Sequence, residues 1–201
     1  MIVFAAFAGL FAGLVHVLAG PDHLAAVAPL VAGRSERQWR AGLLWGVGHT
    51  TGVLLIGVLL LAFREAIPLD LISRHSERIV GVALIAMGVW GVWRARVQHT
   101  SPSHRHPTSQ ASFAMGTLHG LAGSSHLFGV LPALGLPTGA AAFVYLTGFG
   151  IGAVGAMTVF AALVGSFAVR VHRLGRAEHR LILYACSLSA FVVGAFWLTG
   201  S

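Results

Sequence analysis

Residues 16–29 read HVLAGPDHLAAVAP, and residues 119–132 read HGLAGSSHLFGVLP. When Gly13–Leu30 is aligned with Gly116–Ala133 at a constant offset of 103 residues, 9 of the 18 positions are identical. The identities include both histidines of each stretch. The chain therefore contains an internal repeat, and each copy carries two imidazoles within an otherwise apolar segment.

The composition is that of an integral membrane protein. Of the 201 residues, 56% are hydrophobic and only 9% are charged, whereas about a quarter of the residues of a soluble domain are charged. The net charge of +7 comes entirely from arginine, and the arginines lie between apolar blocks. We interpret them as topology signals and lipid-headgroup contacts, and we expect no nucleic-acid partner. The lone cysteine, Cys186, excludes an intramolecular disulfide and dithiol chemistry.

Six apolar blocks are long enough to cross a bilayer, which takes about 20 residues of helix. They cover residues 2–31, 41–63, 78–97, 111–134, 139–168 and 180–199. The first block is interrupted by Gly20 and Pro21, and the aligned segment of the fourth block holds Gly123, Ser124 and Ser125. The sequence therefore predicts an all-α, polytopic membrane protein of six helices. Helices one and four are expected to be kinked or broken where they line a cavity.

The repeat begins in the first block and again in the fourth. Because three is an odd number of spans, the two copies cross the bilayer in opposite senses, as in the inverted repeats of many secondary transporters. In such folds the substrate site lies near the midplane, where interrupted helices meet. We predict a single transmembrane domain, 1–201, built from three-helix repeats 1–97 and 111–201 and a histidine-containing linker, 98–110.

The distribution of arginine predicts the orientation in the membrane. Ten arginines follow spans one, three and five, and three lie on the opposite side, where acidic residues offset them. Positive charge marks the cytoplasmic side. We therefore predict a multi-pass protein of the cell (inner) membrane, with cytoplasmic loops at 32–40, 98–110 and 169–179 and with both termini outside.

Ionisable side chains recur inside the predicted spans. His16 and His23 are separated by almost two helical turns, so both rings can lie on one face of a helix. Such groups are costly in a membrane and face a cavity or one another, and neutral imidazole is a common ligand of Zn, Cu, Fe and Ni. A lone histidine in a span is more often a helix–helix hydrogen bond, but the repeated pairs favour a ligand role. The predicted metal ligands are His16, Asp22, His23, His49, His119 and His126.

Two further groups of residues have candidate roles. The glycine, proline and serine residues at the two interruptions are predicted to be helix-break and gating positions. His99, His104 and His106 lie in a polar stretch between the repeats. This stretch fits a plain linker and an accessory metal-collecting loop equally well.

These motifs resemble those of a known family. HVLAGPDHLAAVAP, GVGHTTG (46–52) and HGLAGSSHL are similar to motifs of the nickel/cobalt transporter (NicO/NiCoT) superfamily, in particular its small six-span UreH-like and HupE/UreJ-like members. The family hallmark is a His, four residues and then Asp-His, and it binds the metal. His16, Asp22 and His23 match it in type, with five residues between the first two. Gly48 and His49 match the Gly-His pair of the second family motif.

The resemblance implies a transporter of Ni²⁺ or Co²⁺, with Zn²⁺ less favoured, rather than an enzyme. No prosthetic group is expected, because the metal is the transported ligand. The sequence has no GxxxxGK[ST] motif, so we expect transport driven by an ion gradient or simply downhill. The expected partners are the lipid bilayer and the metal ion. A cytoplasmic metal chaperone or metalloenzyme maturation factor is a further candidate, and oligomerisation is left open.

Two other interpretations are open at this point. Paired transmembrane histidines could hold a haem or a fixed metal for electron transfer. Alternatively, they could relay protons in an exporter of another small solute. Reversible uptake of Ni²⁺ by a colourless protein would favour metal transport over haem.

Overall fold

The structure is a computed structural model that describes residues 1–32, 38–63, 69–97, 109–122, 125–174 and 176–199. Within these ranges the chain forms eight helices and no strand, which confirms the all-α prediction. The helices are α1 (Ile2–Ala19), α2 (Pro21–Ala32), α3 (Gln38–Phe63), α4 (Leu69–Val97), α5 (Ser109–Ala122), α6 (Ser125–Leu134), α7 (Gly139–Leu174) and α8 (Arg176–Thr199).

Several of these helices have the length and hydropathy of membrane spans. In the described part of the chain, three are long and apolar enough to cross a bilayer: Ile2–Ala19, Gly139–Arg173 and Arg180–Thr199. A shorter apolar stretch, Arg78–Trp93, lies in α4. Large apolar side chains are exposed along α1, α7 and α8, as expected for surfaces solvated by lipid. The chain is therefore a membrane protein, while the count of six spans stays a prediction.

The break in the first predicted span occurs at Gly20. Helix α1 ends at Ala19 and α2 begins at Pro21, because Gly20 adopts an extended conformation with φ −87° and ψ 100°. Proline suits the first position of a helix, where its missing N–H costs no hydrogen bond. A Cβ on Gly20 would collide with the His23 ring, so glycine is required here by close approach. The position at which the sequence predicts a break in the second repeat, Gly123 and Ser124, lies outside the described residues.

Helices α1 and α7 pack closely through glycine. A Cβ at Gly9 would collide with the carbonyl oxygen of Tyr145, and one at Gly13 with that of Phe149. Residue numbers rise together along this interface, so the two helices run parallel. Small residues let membrane helices bring their backbones into contact in this way.

Helices α3 and α5 pack in the same manner. Gly116 lies against the carbonyl oxygen of Trp45, and Gly120 lies against that of His49. This pair is also parallel, because the numbers again rise together. Helices α1 and α5, which open the two predicted repeats, therefore each pack on the middle helix of the other repeat.

Helix α4 runs antiparallel to α8. A Cβ on Gly81 would lie 2.9 Å from the Gly194 carbonyl oxygen, and a Cβ on Gly88 would lie 2.7 Å from the Ser187 carbonyl oxygen. Helix α3 is likewise antiparallel to α7, because Gly42 lies near Ala161 and Gly46 lies near Val154.

Helix α2 lies at the centre of the fold. Of its 12 residues, 10 are buried, and it contacts α1, α3, α4, α7 and α8. The largest hydrophobic cluster joins α2 to Trp45, Leu84 and Met157 from the surrounding helices. Asp22 and His23, the second and third residues of α2, are among its buried residues and therefore lie in the interior.

The prediction of a loop at residues 169–179 is wrong. Residues 169–174 continue α7, and residues 176–179 belong to α8. The basic residues His172 and Arg173 lie in the last turn of α7, where positive charge such as that of Arg173 interacts favourably with the negative end of the helix dipole, so basic residues at this point do not end the helix. Similarly, residues 38–40 of the predicted loop 32–40 form the start of α3.

Candidate metal centre

Four helices bring ionisable side chains together in the interior. His16 comes from the last turn of α1, and His119 comes from the last turn of α5. Asp22 and His23 belong to the first turn of α2, directly after the break at Gly20, and His49 comes from α3. The cluster therefore forms where the broken first span meets the middle helix of its own repeat and the first helix of the other.

The cluster is withdrawn from the surroundings of the protein. His23 and His49 are 0% exposed, Asp22 is 2% exposed and His119 is 6% exposed, while His16 is partly buried. A charge buried in this way is stable only when it is paired and hydrogen-bonded. The arrangement around Asp22 meets this requirement.

Asp22 accepts a hydrogen bond on each of its carboxylate oxygens. His23 Nδ1 donates to Oδ1 at 3.0 Å, and His119 Nε2 donates to Oδ2 at 3.0 Å. Bonds to an ionised carboxylate are roughly twice as strong as bonds between neutral groups. Asp22 therefore orients one imidazole from its own repeat and one from the other.

Three imidazoles converge beside this carboxylate. His16, His23 and His49 each offer one ring nitrogen, and these nitrogens all lie within 4.8 Å of one another. The ring centroids are 4.6 Å apart for His16 and His23, 4.8 Å for His23 and His49, and 5.6 Å for His16 and His49. Because a metal–imidazole bond of about 2.1 Å allows two nitrogens to be up to about 4.2 Å apart, small side-chain adjustments would bring all three onto one ion.

A second group of ligand atoms shares His23. Asp22, His23 and His119 also offer atoms that lie within 4.8 Å of one another, and all three residues are buried. The two groups together form one continuous cluster of five side chains. Chemically, it provides imidazole nitrogens and a single carboxylate, a donor set that suits borderline transition metals.

Aromatic rings contact the cluster on two sides. The Trp45 ring stacks on His49 with centroids 5.2 Å apart and planes inclined by 9°, and it also contacts His119 at 5.2 Å. The Phe149 ring lies 5.3 Å from His16. No motif in the sequence singles out either Trp45 or Phe149 as part of a site. The spacing of four residues between Trp45 and His49, which places both on one helix face, was the available signal for the first.

A small cavity adjoins the cluster. It has a volume of about 20 Å³, enough for about one water molecule, and it reaches His119 and Trp45. Its other walls are apolar and include the thioethers of Met87 and Met115. The cavity lies among α2, α3, α4 and α5.

The structure brings together five of the six predicted ligands. The side chain of the sixth, His126, lies outside the described part of the chain, as does that of Ser125. His99, His104 and His106 of the predicted accessory loop also lie outside the described residues. The break between α1 and α2 lies at Gly20 and Pro21, and a gating role for these residues stays a prediction.

Comparisons with known proteins give three relatives. The chain is 35% identical over 204 residues to the chloroplast protein FOR GROWTH AND FERTILITY 2 of Arabidopsis thaliana, an alignment that covers 94% of this chain and 54% of that one. It is 36% identical over 181 residues to FOR GROWTH AND FERTILITY 1 of the same plant, covering 80% and 49%. The third relative is the urease accessory protein UreH of Bacillus sp. (strain TB-90), 29% identical over 173 residues and covering 78% and 74%.

These relatives differ in how much of their length is matched. The chain spans about half the length of the two plant proteins and about three quarters of UreH. No family model matches the chain, and no solved structure matches it. The chain is thus a distant homologue of a urease accessory protein, in agreement with the UreH-like resemblance of its motifs.

Proposed function

We propose that the protein moves a divalent transition-metal ion, first of all Ni²⁺ or Co²⁺, across a membrane. The observation that carries the proposal is the convergence of three imidazole nitrogens within 4.8 Å of one another, beside a hydrogen-bonded carboxylate, in the interior of an apolar helical protein. Ionisable groups at such a position mark ion pathways. The transporter-like resemblance of the motifs and the homology to UreH favour transport over catalysis.

In this proposal the five side chains have different roles. His16, His23 and His49 bind the ion directly. Asp22 fixes the ring of His23 through Nδ1, so that His23 presents its Nε2 to the ion, as the partners of metal-bound histidines commonly do. His119 in turn holds the second oxygen of Asp22. His126 completes the site or forms a second one.

The donor set also accounts for the class of metal. Neutral imidazole suits Zn, Cu, Fe and Ni, and a transported ion must bind strongly enough to replace its water yet weakly enough to leave. Three imidazoles without a thiolate meet both conditions. The preference for Ni²⁺ or Co²⁺ rests on the nickel/cobalt superfamily resemblance and on the homology to UreH.

We further propose the six-span, inverted-repeat architecture, with odd-numbered connections in the cytoplasm and both termini outside. It is supported by the helix pairing, because exchanging the two repeats turns the parallel pair α1–α7 into the parallel pair α5–α3 and leaves the antiparallel pair α4–α8 unchanged. The break at Gly20, at the edge of the cluster, supports it as well.

The geometry argues against the haem interpretation. Four imidazoles and the Trp45 ring surround the centre of the cluster with centroid distances of 4.6–6.0 Å. A porphyrin between two axial histidines needs an open plane between them, and these rings occupy it.

The experiment is a calorimetric titration of Ni²⁺, Co²⁺ and Zn²⁺ into detergent-purified protein. A background in which His99, His104 and His106 are replaced by Ala isolates the cluster from the linker. In this background His16→Ala/His23→Ala should abolish saturable binding, and His172→Ala, a histidine at the far end of α7, should leave it intact. Flux of the bound metal into proteoliposomes then tests transport. Binding that is identical in all variants would reject the metal site and favour the proton-relay exporter.

A further inference from the structure

We infer that Trp45 and Phe149 are the two gates of the proposed ion site, one toward each face of the membrane. This inference rests on the proposed function, because it assumes that a solute passes through the cluster. It adds two residues that lie outside the ligand set and assigns each of them to one side of the pathway.

Both rings are placed to close the cluster. Each residue is only 1% exposed, although tryptophan and phenylalanine are large side chains. Trp45 contacts His49 and His119, and its edge approaches His23 with centroids 6.0 Å apart. Phe149 contacts His16 from α7.

The two rings lie on opposite sides of His49 along the helix axis. Trp45 precedes His49 by one turn of α3, whereas Phe149 forms a buried cluster with Val53, which follows His49 by one turn. At 1.5 Å per residue, Trp45 and Val53 are about 12 Å apart along the axis, with His49 midway between them. Trp45 therefore lies toward the membrane face where α3 begins, and Phe149 lies toward the other face.

The repeat makes the two rings equivalent. Gly13 and Gly116 are matching positions in the two copies. A Cβ on Gly13 would meet the carbonyl oxygen of Phe149, and a Cβ on Gly116 would meet that of Trp45. Trp45 and Phe149 thus occupy the same place relative to the first helix of the opposite repeat, at an offset of 104 residues.

An independent pair of contacts gives the same offset. Gly48 of α3 lies against the carbonyl of Phe113, and Gly152 of α7 lies against the carbonyl of Leu10. Phe113 and Leu10 are themselves equivalent at the offset of 103. The packing therefore relates α3 to α7 by 104 residues at two separate points.

The ligands do not share this symmetry. At the offset of 104, the position equivalent to His49 is Ala153, a fully buried residue of α7 that carries no ligand. Two equivalent aromatic rings thus flank one asymmetric cluster. A transporter that alternates its access needs this combination of a single site and two barriers, of which one opens at a time.

The test uses the accessibility of one cysteine from each side of the membrane. Replacing the lone cysteine by Cys186→Ser gives a background without thiols. Ala153→Cys then places a reporter at the level of the site without removing a ligand. A membrane-impermeant methanethiosulfonate reagent is added to right-side-out or inside-out vesicles, and the modified fraction is measured by mass spectrometry.

Trp45→Ala should admit the reagent from the face where α3 begins, and Phe149→Ala should admit it from the opposite face. A minor, open state of a gate is populated in at most about 10% of molecules, and this fraction limits modification of the reporter cysteine. Removal of a gate should therefore raise the rate of modification about tenfold or more, from one face only. Trp39→Ala on α3 and Phe143→Ala on α7 are matched controls, because these rings are exposed on the same helices. In both control variants the reporter cysteine should be modified at the same rate as in the protein that carries Ala153→Cys alone.

Labelling of both variants from the same face, or an unchanged rate in both, would overturn the inference. If either alanine variant is not monodisperse in detergent, Trp45→Leu and Phe149→Leu take their place with the same expected sidedness. The labelling assay uses no metal, so it is independent of metal binding. If labelling is sided but Ni²⁺ titration of the cysteine-free protein shows no binding, the metal site is rejected and the two gates are kept. Saturable Ni²⁺ binding without sided labelling would keep the metal site and reject the gates.

Discussion

His119 Nε2 lies 3.0 Å from Asp22 Oδ2, although the two residues are 97 positions apart in the chain. This hydrogen bond joins the first helix of the second predicted repeat to the first turn of α2. The other oxygen of the same carboxylate accepts from His23. One carboxylate thus couples the helix break of the first repeat to the opposite repeat, and the position of His23 depends on both.

Asp22→Asn should weaken metal binding without abolishing it. The amide keeps the shape of the side chain but offers one acceptor oxygen instead of two, so one of the two histidines loses the acceptor for its ring N–H. Loss of a partner that orients a metal-bound histidine typically costs about 10–100-fold in affinity. Calorimetric titration of Ni²⁺ gives the ratio, and an unchanged affinity would show that Asp22 does not orient a ligand.

Removal of a ligand should have a larger effect than removal of its support. His49→Ala deletes one of the three converging nitrogens, and the loss should exceed the range of about 10–100-fold expected for a supporting residue. His172→Ala, distant from the cluster, serves as the matched control. Equal affinities for His49→Ala and the wild type would place the ion elsewhere and leave His49 as a packing residue.

Gly20→Ala should damage both stability and binding. The added Cβ would collide with the His23 ring and lie 2.9 Å from Asp22 Oδ1, and such overpacking typically costs about 1–3 kcal/mol. Thermal unfolding in detergent measures the first effect, and Ni²⁺ titration measures the second.

Gly155→Ala is the control for this substitution. Nothing lies within 4 Å of a Cβ at Gly155, so alanine should be neutral or stabilising by up to about 1 kcal/mol in a helix. Equal stability of Gly20→Ala and Gly155→Ala would show that the backbone at the break does not need glycine.

Much of the candidate centre could be predicted from local patterns. The cost of ionisable groups in lipid singled out His16, Asp22, His23, His49 and His119, and a Gly-Pro pair in an apolar block indicated the break. Both signals depend on the residues themselves and their immediate neighbours.

The remaining features depend on contacts between distant segments. The bond from His119 to Asp22 arises because glycines bring α5 against α3, and spacing along one chain does not reveal which helices meet. The sequence does not single out Trp45, because an aromatic residue in an apolar span is most often lipid-facing or packed in the core. Helix α7 continues to Leu174, beyond the apolar block that ends at residue 168, because arginine and histidine beyond the bilayer do not stop a helix.

Gly13→Val and Gly116→Val should destabilise the protein to a similar degree. Both glycines are matched in the repeat, and both lie directly against a carbonyl oxygen of the middle helix of the other half. Because a side chain there must push two backbones apart, each should cost about 1–3 kcal/mol or more. Thermal unfolding in detergent compares the two variants, with Gly155→Val as the control in open space. A large loss for one variant beside a negligible loss for the other would show that the two interfaces are not equivalent, and the inverted repeat would lose its support from packing.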